Sequence, residues 1–173
     1  MRRDFRFSIV IFTVLAAPFL TACASPERKP PPQISQLQAR ELQTRNFPKE
    51  TVIAGMKAVS AALQDEGYSI ENANTELGLI TAIRIVNDMD KASRDAQIFW
   101  LGFAKDYRAA RSWKVTANIA EVNKNLRVRI SLVEQELNES GGIIYSQQVT
   151  DPAPYQALFS KIDKSVFLQK NKL

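Results

Sequence analysis

The alternation of apolar and polar residues between positions 113 and 133 constrains the fold of this chain more than any other feature. In its second half the even positions from 126 to 132 are all aliphatic, and the positions between them carry Arg127, Arg129 and Ser131. Successive side chains of a strand point to opposite faces, so this pattern predicts one buried and one solvated face. Asn123-Lys124-Asn125 separates it from an earlier alternating segment, which predicts a hairpin of residues 113–122 and 126–133.

Two other segments have the spacing of an amphipathic helix. Between positions 49 and 66 the apolar residues recur at i, i+4, i+7 and i+11, and Gly67 stands where a glycine ends a helix. The second helix is predicted to start at Asp151 as its cap with Pro152 as its first residue. The predicted inward faces carry Val52, Met56, Val59 and Leu63 in the first helix, and Tyr155, Leu158, Phe159, Ile162 and Val166 in the second.

Shorter strand patterns complete the predicted order of elements. They cover residues 41–47, 68–72, 79–86 and 143–149, and the third of these is apolar on both faces. A strand, a helix, a run of strands and a final helix predict an α+β fold. We expect a mostly antiparallel sheet with two main helices packed on one face, plus a short helical insert at residues 87–112.

The first part of the chain has the pattern of an export signal. Arg2, Arg3 and Arg6 precede an apolar run at residues 7–20, which is shorter than the ~20 residues of a membrane-spanning helix. Leu20-Thr21-Ala22-Cys23 then resembles the lipobox of bacterial lipoproteins. The resemblance implies cleavage after residue 22 and lipid chains on Cys23, which together give stable membrane attachment.

Residues 23–40 are predicted to be a tether that links this anchor to a single domain at residues 41–173. The segment contains Pro26 and the run Pro30 to Pro32, and its extended conformation at residues 24–36 would span roughly 40 Å. In the lipoprotein sorting rule an aspartate after the modified cysteine retains the protein in the inner membrane. This chain has Ala24 there, so the resemblance implies the periplasmic face of the outer membrane.

Composition excludes several classes of chemistry. The chain contains no histidine and one cysteine, so no Ser-His or Cys-His nucleophile and no intrachain disulfide can form. The sequence also contains no phosphate-binding loop, metal signature or dinucleotide fingerprint. We therefore expect a protein that is not an enzyme and has no cofactor or metal. The net charge of +5 comes from scattered residues, so nucleic acid is not an expected partner.

Several motifs together resemble an uncharacterised family of proteobacterial outer-membrane lipoproteins. They are residues 63–68 (Leu-Gln-Asp-Glu-Gly-Tyr), residues 76–82 (Glu-Leu-Gly-Leu-Ile-Thr-Ala), and Thr150-Asp151-Pro152 followed by a patterned last helix. The architecture is also similar to the helix-grip domains of the C-subunit accessory lipoprotein of the β-barrel assembly machine. The resemblance implies an envelope lipoprotein and no assigned activity. Members usually carry a longer insert, rich in glycine and alanine, where this chain has residues 87–112.

That insert is the best candidate for a functional surface. Its centre reads Ile98-Phe99-Trp100-Leu101-Gly102-Phe103, and Tyr107 follows. We take Phe99, Trp100, Phe103 and Tyr107 as candidate interaction residues, because exposed apolar patches mark contacts with partners or membranes. The alternative is that they cap the open end of the core. We expect one of Trp100 and Phe103 to be buried and the other exposed.

Charged residues offer weaker candidates. On the outward face of the sheet, a group of basic residues could bind an anion, and the basic flank of the insert could meet lipid headgroups. Asp88 and Asp90 could contribute to a cation site, and Glu134 and Glu136 could form an acid/base pair. The basic residues are Arg84, Lys114, Arg127 and Arg129 on the sheet, and Lys105, Arg108 and Arg111 beside the insert.

These observations leave three functions open. The first is a non-catalytic, periplasm-facing lipoprotein that acts as an interaction or accessory module and contacts another envelope protein. The second is a lipoprotein that binds a lipid or glycan in a groove between helices and sheet. The third is a carboxylate-based hydrolase, which the lack of histidine disfavours.

Overall fold

The computed structural model describes residues 34–48, 50–105 and 107–171. The predicted signal peptide, Cys23 and most of the tether lie outside these ranges. The described chain forms an α+β domain with ten elements. In order they are α1 (Gln36–Gln43), β1 (Thr44–Pro48), α2 (Val52–Asp65), β2 (Ser69–Asn74), β3 (Leu79–Asn87), α3 (Lys91–Leu101), β4 (Ala110–Val122), β5 (Asn125–Leu137), β6 (Ile143–Gln148) and α4 (Pro152–Lys170).

All strand pairs of the sheet are antiparallel, and the strand order is β1-β5-β4-β3-β2, with β6 also paired to β5. Strands β1 and β6 therefore share one edge of β5. Thr44 of β1 pairs with Arg129 near the start of β5, and Gln148 of β6 pairs with Val133 further along it. This side of the sheet is completed by two segments that are far apart in sequence.

Strands β4 and β5 form the predicted hairpin, and both are longer than the sequence pattern indicated. They pair from Ala110 with Leu137 to Val122 with Asn125. The turn residues Asn123 and Lys124 have φ values of 53° and 61°. This conformation suits a two-residue turn whose twist matches that of the flanking strands.

Helices α2 and α4 pack against each other and against one face of the sheet, as predicted. The side chain of Thr51 caps α2 by accepting a hydrogen bond from the Ala54 amide, and Asp151 caps α4 through the Ala153 amide. At Gly55 a Cβ atom would lie 2.3 Å from Leu126 Cδ2, so the glycine lets α2 approach the sheet closely. The core contains Phe47, Met56, Val59, Leu63, Ile80, Val115, Ile119, Leu126, Val128, Ile130, Tyr155, Leu158, Phe159 and Ile162, among others.

The start of the domain differs from the prediction. Residues assigned to the end of the tether and to the first strand form helix α1, which ends at Gln43. The reason is a capping box, in which Ser35 accepts a hydrogen bond from the Gln38 amide and the Gln38 side chain accepts one from the Ser35 amide. Strand β1 ends at Pro48, and α2 begins only at Val52, later than the pattern from position 49 indicated, because Thr51 provides the helix cap.

Candidate functional site

The insert between β3 and β4 is built around helix α3. The Asp90 carboxylate accepts a hydrogen bond from the Ser93 amide at 3.1 Å and so caps the first turn. The helix ends at Gly102, which has a φ of 75° and donates its amide hydrogen to the Ile98 carbonyl oxygen at 2.9 Å. Glycine adopts this left-handed conformation without strain, so the sequence defines both ends of α3.

The half-buried side of α3 is polar. Ser93, Arg94 and Gln97 are its partly covered residues, and α3 contains no fully buried residue. The Gln97 amide oxygen accepts a hydrogen bond from the Lys105 backbone at 2.8 Å, and its nitrogen donates to the Ser93 hydroxyl at 3.4 Å. Polar contacts therefore hold the returning chain against this helix. An amphipathic helix of a globular domain normally turns its apolar side inward, so the usual arrangement is reversed here.

The apolar residues of the insert form an exposed surface at the C-terminal end of α3. We call this surface the apolar tip, and it consists of Ile98, Phe99, Trp100, Leu101 and Phe103. Their exposed fractions range from 47% for Ile98 to 79% for Trp100. The Phe99 and Trp100 rings meet edge to face, with centroids 5.0 Å apart and an interplanar angle of 86°. This contact holds the two largest side chains of the tip together while both stay in solvent.

The exposure of the tip decides between the two roles that the sequence left open for the insert. Phe99, Trp100 and Phe103 do not cap the core, because their exposed fractions are 78%, 79% and 61%. The expectation that one of Trp100 and Phe103 is buried is wrong. The described core is formed by residues of the sheet, α2 and α4 and includes no residue of α3, so these aromatic residues do not contribute to it.

Tyr107 does not belong to the tip. Its side chain is only 3% exposed and lines a shallow cleft of about 290 Å³ between the insert and the turn after β5. Burial raises the pKa of the Tyr107 hydroxyl, a hydrogen bond to Glu139 raises it further, and Arg94 acts in the opposite direction. Tyr107 therefore fastens the insert to the domain. The other residues that line the cleft are Ala104, Lys105, Asn138, Glu139 and Ser140.

Arg84 lies on the helix-covered face of the sheet, so its assignment to the outward face is wrong. Its guanidinium carbon is 4.9 Å from the centre of the Tyr68 ring and 5.1 Å from that of the Trp113 ring. It also donates a hydrogen bond to the Glu66 carbonyl oxygen at 3.0 Å. Arg84 lies two residues after Ala82 and four after Ile80, so the three share one face of the strand. This spacing is the sequence signal that places Arg84 on the covered face.

The guanidinium of Arg84 borders a small pocket between sheet and helices. Its volume is about 110 Å³, and the Tyr68 ring lies in its wall. Burial raises the pKa of Tyr68 above its ordinary value of 10.0, while Arg84 offsets part of that rise. The pocket is further lined by Glu66, Leu132, Pro154, Ala157 and Leu158.

The other basic residues proposed for the sheet have separate surroundings. Lys114 forms an ion pair with Glu71 at 3.6 Å, and Arg129 donates a hydrogen bond to the Gln43 side chain at 3.4 Å. Arg127 is exposed. With Arg84 on the opposite face, the proposed four-residue anion site does not form.

The carboxylates proposed for acid/base chemistry are held in an ion-pair network. Glu136 lies 3.4 Å from Arg108, and Glu134 lies 3.5 Å from Arg111. Asp88 contacts both arginines, at 3.5 Å from Arg108 and 2.9 Å from Arg111. Each of these charges has a partner of opposite sign. The network joins the base of the insert to β4 and β5, and no periodicity in the sequence indicates it.

The same contacts account for the residues proposed for a cation site and for those of the basic flank of the insert. Asp88 and Asp90 serve the network and the α3 cap respectively, and the described ranges contain no group of three or more potential metal ligands. Of the basic flank of the insert, Arg108 and Arg111 are paired with carboxylates, whereas Lys105 is exposed beside the tip.

The sequence matches no protein-family model and no curated protein. Within the described part of the chain, no helix has the length and apolar character required to cross a bilayer.

Proposed function

We propose that this protein is a non-catalytic accessory module of the bacterial cell envelope, held on the periplasmic face of the outer membrane by lipid on Cys23. Its contact surface is the apolar tip. The observation that carries the proposal is the exposure of Phe99 and Trp100, at 78% and 79%, on a helix that buries none of its own residues. The anchor itself is inferred from the sequence before Cys23.

The energetics of the tip support a role in binding. Burial of apolar surface contributes roughly 25 cal/mol per Å², and most of the surface of Phe99, Trp100 and Phe103 stays exposed and gains none of this within the domain. Contiguous exposed apolar surface also promotes aggregation, so its presence on a folded domain is typical of an interaction site. The aromatic side chains of the tip are the residue types that contribute most to binding energy at interfaces.

The chemistry of the remaining surface favours a non-catalytic protein. The chain has no histidine, and the carboxylates of Glu134 and Glu136 are paired with Arg111 and Arg108. A general base requires a lone pair that can reach a substrate proton. Carboxylates engaged by guanidinium groups are poorly suited to that task.

The volume of the pocket beside Arg84 disfavours a ligand-carrying groove as the main function. It is about 110 Å³, whereas pockets for lipids and other small molecules have volumes of roughly 300–1,000 Å³. Binding of a glycan or lipid between helices and sheet would require the helices to move apart. The apolar tip can be contacted by a partner without such a movement of the helices.

Site-specific photo-crosslinking tests the contact surface. Phe103 in the tip and Phe167 on α4 are both 61% exposed, so they form a matched pair for replacement by a photoreactive phenylalanine analogue. In the intact envelope, we expect the analogue at position 103 to form covalent adducts with other envelope components. We expect the analogue at position 167 to form none. Equal yields at the two positions would exclude the tip as the preferred contact surface.

The anchor is tested separately by metabolic labelling with a fatty-acid analogue. We expect the wild-type chain to incorporate the label, and Cys23→Ala to remain an unlabelled precursor of larger mass. Incorporation of label by Cys23→Ala would contradict a lipid anchor at that residue.

A further inference from the structure

We propose that the apolar tip inserts into the same bilayer that holds Cys23, so that the domain contacts the membrane at two points. This inference rests on the proposed function, since it assumes the anchor. It names the occupant of the tip as membrane lipid and not the groove of a partner protein. The shape of the tip, its charge, and the length of the chain between Cys23 and the described domain all favour lipid.

The shape of the tip suits a soft surface. Its residues come from the last turn of α3 and from the bend at Gly102 and Phe103, so they project from the end of the insert. A projecting group of side chains requires a matching cavity in a protein partner, whereas lipid adapts to it. Trp, Phe and Leu are also the side chains that lie at the boundary of headgroups and acyl chains.

The tether keeps the bilayer within reach. Cys23 and Ile34 are separated by eleven residue steps, which span roughly 35 Å in an extended proline-rich conformation. The thirteen residues of β4 alone extend over about 43 Å. The domain is therefore confined to within about its own length of the membrane, and lipid is the apolar phase present at the highest local concentration.

The charges around the tip indicate how it binds. Arg108 and Arg111 are neutralised by carboxylates. Among the described residues of this flank, that leaves Lys105 as the exposed cation next to Phe103. Attraction to anionic headgroups is therefore weak, and the apolar side chains provide most of the binding. We expect the insertion to depend little on salt or on the fraction of anionic lipid.

Quenching of tryptophan fluorescence by brominated lipid tests the proposal. The chain has two tryptophans: Trp100 in the tip, and Trp113, which is half-buried against Arg84. The chain from Cys23 to Leu173 is coupled through its lone thiol to a maleimide lipid in phosphatidylethanolamine and phosphatidylglycerol vesicles. This chemical anchor works whether or not cells lipidate Cys23, so failure of the labelling experiment and failure of this one are distinguishable.

We expect lipids brominated in the acyl chains to quench the wild-type protein and to leave Trp100→Phe largely unquenched. The difference between the two reports Trp100 without any change at Trp113. The equilibrium constant for insertion of the tip should fall about tenfold in Phe103→Ser, because one buried aromatic side chain is lost. It should stay constant in the matched Phe167→Ser variant.

Three outcomes would overturn the proposal. One is the absence of bromine quenching from Trp100. Another is a blue shift of Trp100 emission that grows with the surface density of the protein while bromine quenching is absent. This would indicate that a second copy of the chain covers the tip. The last is a blue shift that appears only after envelope proteins are added, which would assign the tip to a protein partner.

Discussion

The backbone of Gly78 passes so close to Ile119 that a Cβ atom at position 78 would lie 1.9 Å from the Ile119 carbonyl oxygen. The Ile119 amide donates a hydrogen bond to the Gly78 carbonyl at 2.7 Å, and Gly78 has a φ of 60°. The turn between β2 and β3 is thus fixed to β4 by a contact that only glycine permits.

Replacement of Gly78 by alanine should therefore strongly destabilise the domain. We expect Gly78→Ala to lower the free energy of unfolding by more than about 2 kcal/mol, measured by chemical denaturation, because the clash adds to the strain of the left-handed backbone. Gly141 also has a positive φ, of 81°, but a Cβ there would meet no atom within 4 Å. Gly141→Ala should cost only about 1 kcal/mol, and equal losses at both positions would disprove the steric argument.

The turn of the β4–β5 hairpin offers a stabilising substitution. Lys124 has a φ of 61°, which is unfavourable for a residue with a Cβ, and glycine is preferred at the second position of such a turn. We expect Lys124→Gly to raise the free energy of unfolding by about 1 kcal/mol. Lys124→Ala keeps the Cβ atom and should show no such gain, so a comparable gain from alanine would point to loss of the lysine charge instead.

Two phenylalanines of α4 separate the core from the surface. Phe159 is 3% exposed and Phe167 is 61% exposed. Phe159→Ala should cost about 3–5 kcal/mol, because it leaves a cavity in the core, and Phe167→Ala should change the stability by less than about 0.5 kcal/mol. Coincident denaturation midpoints for the two variants would mean that this helix packs with a different face.

The apolar tip should contribute little to the stability of the isolated domain. Because Trp100 and Phe103 are exposed, the pair Trp100→Ser and Phe103→Ser should shift the free energy of unfolding by no more than about 1 kcal/mol in total. Thermal denaturation in the absence of lipid is the suitable measurement. A loss of several kcal/mol would show that the tip packs on the domain in solution.

Tyr68 should give the domain a pH dependence in the alkaline range. Burial raises its pKa above the ordinary value of 10.0, with partial compensation by Arg84. The stabilisation is complete below the unfolded pKa and is lost as the pH rises through the folded pKa, since the unfolded chain releases the proton first. Tyr68→Phe cannot ionise, so its stability should decline less in that window when denaturation is followed from neutral to alkaline pH.

The sequence predicted those parts of the fold that depend on local periodicity. The even aliphatic positions from 126 to 132 are buried as expected, and Asp151 and Pro152 begin α4. The strands extend beyond their patterns at the ends that carry Arg111, Glu134 and Glu136. These charged residues interrupt the apolar alternation without ending a strand, because each is paired with an opposite charge. Helix α1 was missed because its signal is a capping box and not an apolar stripe.

The aromatic composition of the insert indicates the candidate site. It does not indicate which of these side chains are exposed. The aromatic cluster from Phe99 to Phe103 is evident in the sequence, but its exposure depends on which side of α3 faces the domain. The polar set of Ser93, Arg94 and Gln97 holds that side, and a polar inner surface contradicts the usual rule for amphipathic helices. Tyr107 looked equivalent to its aromatic neighbours, and only the tertiary structure separates it from them.

The pairing of β1 with the start of β5 determines when the molecule can fold. Thr44 meets Arg129 and Pro48 meets Asn125, so β1 has no partner until roughly eighty further residues have been synthesised, and such non-local contacts form late. Helix α2 also cannot pack on the sheet before these residues are present, because Gly55 packs on Ile119 and Leu126. A nascent chain that ends before residue 125 therefore cannot assemble its core. It would therefore stay unfolded during most of its synthesis, which is the state required by the export that we propose from the pattern before Cys23.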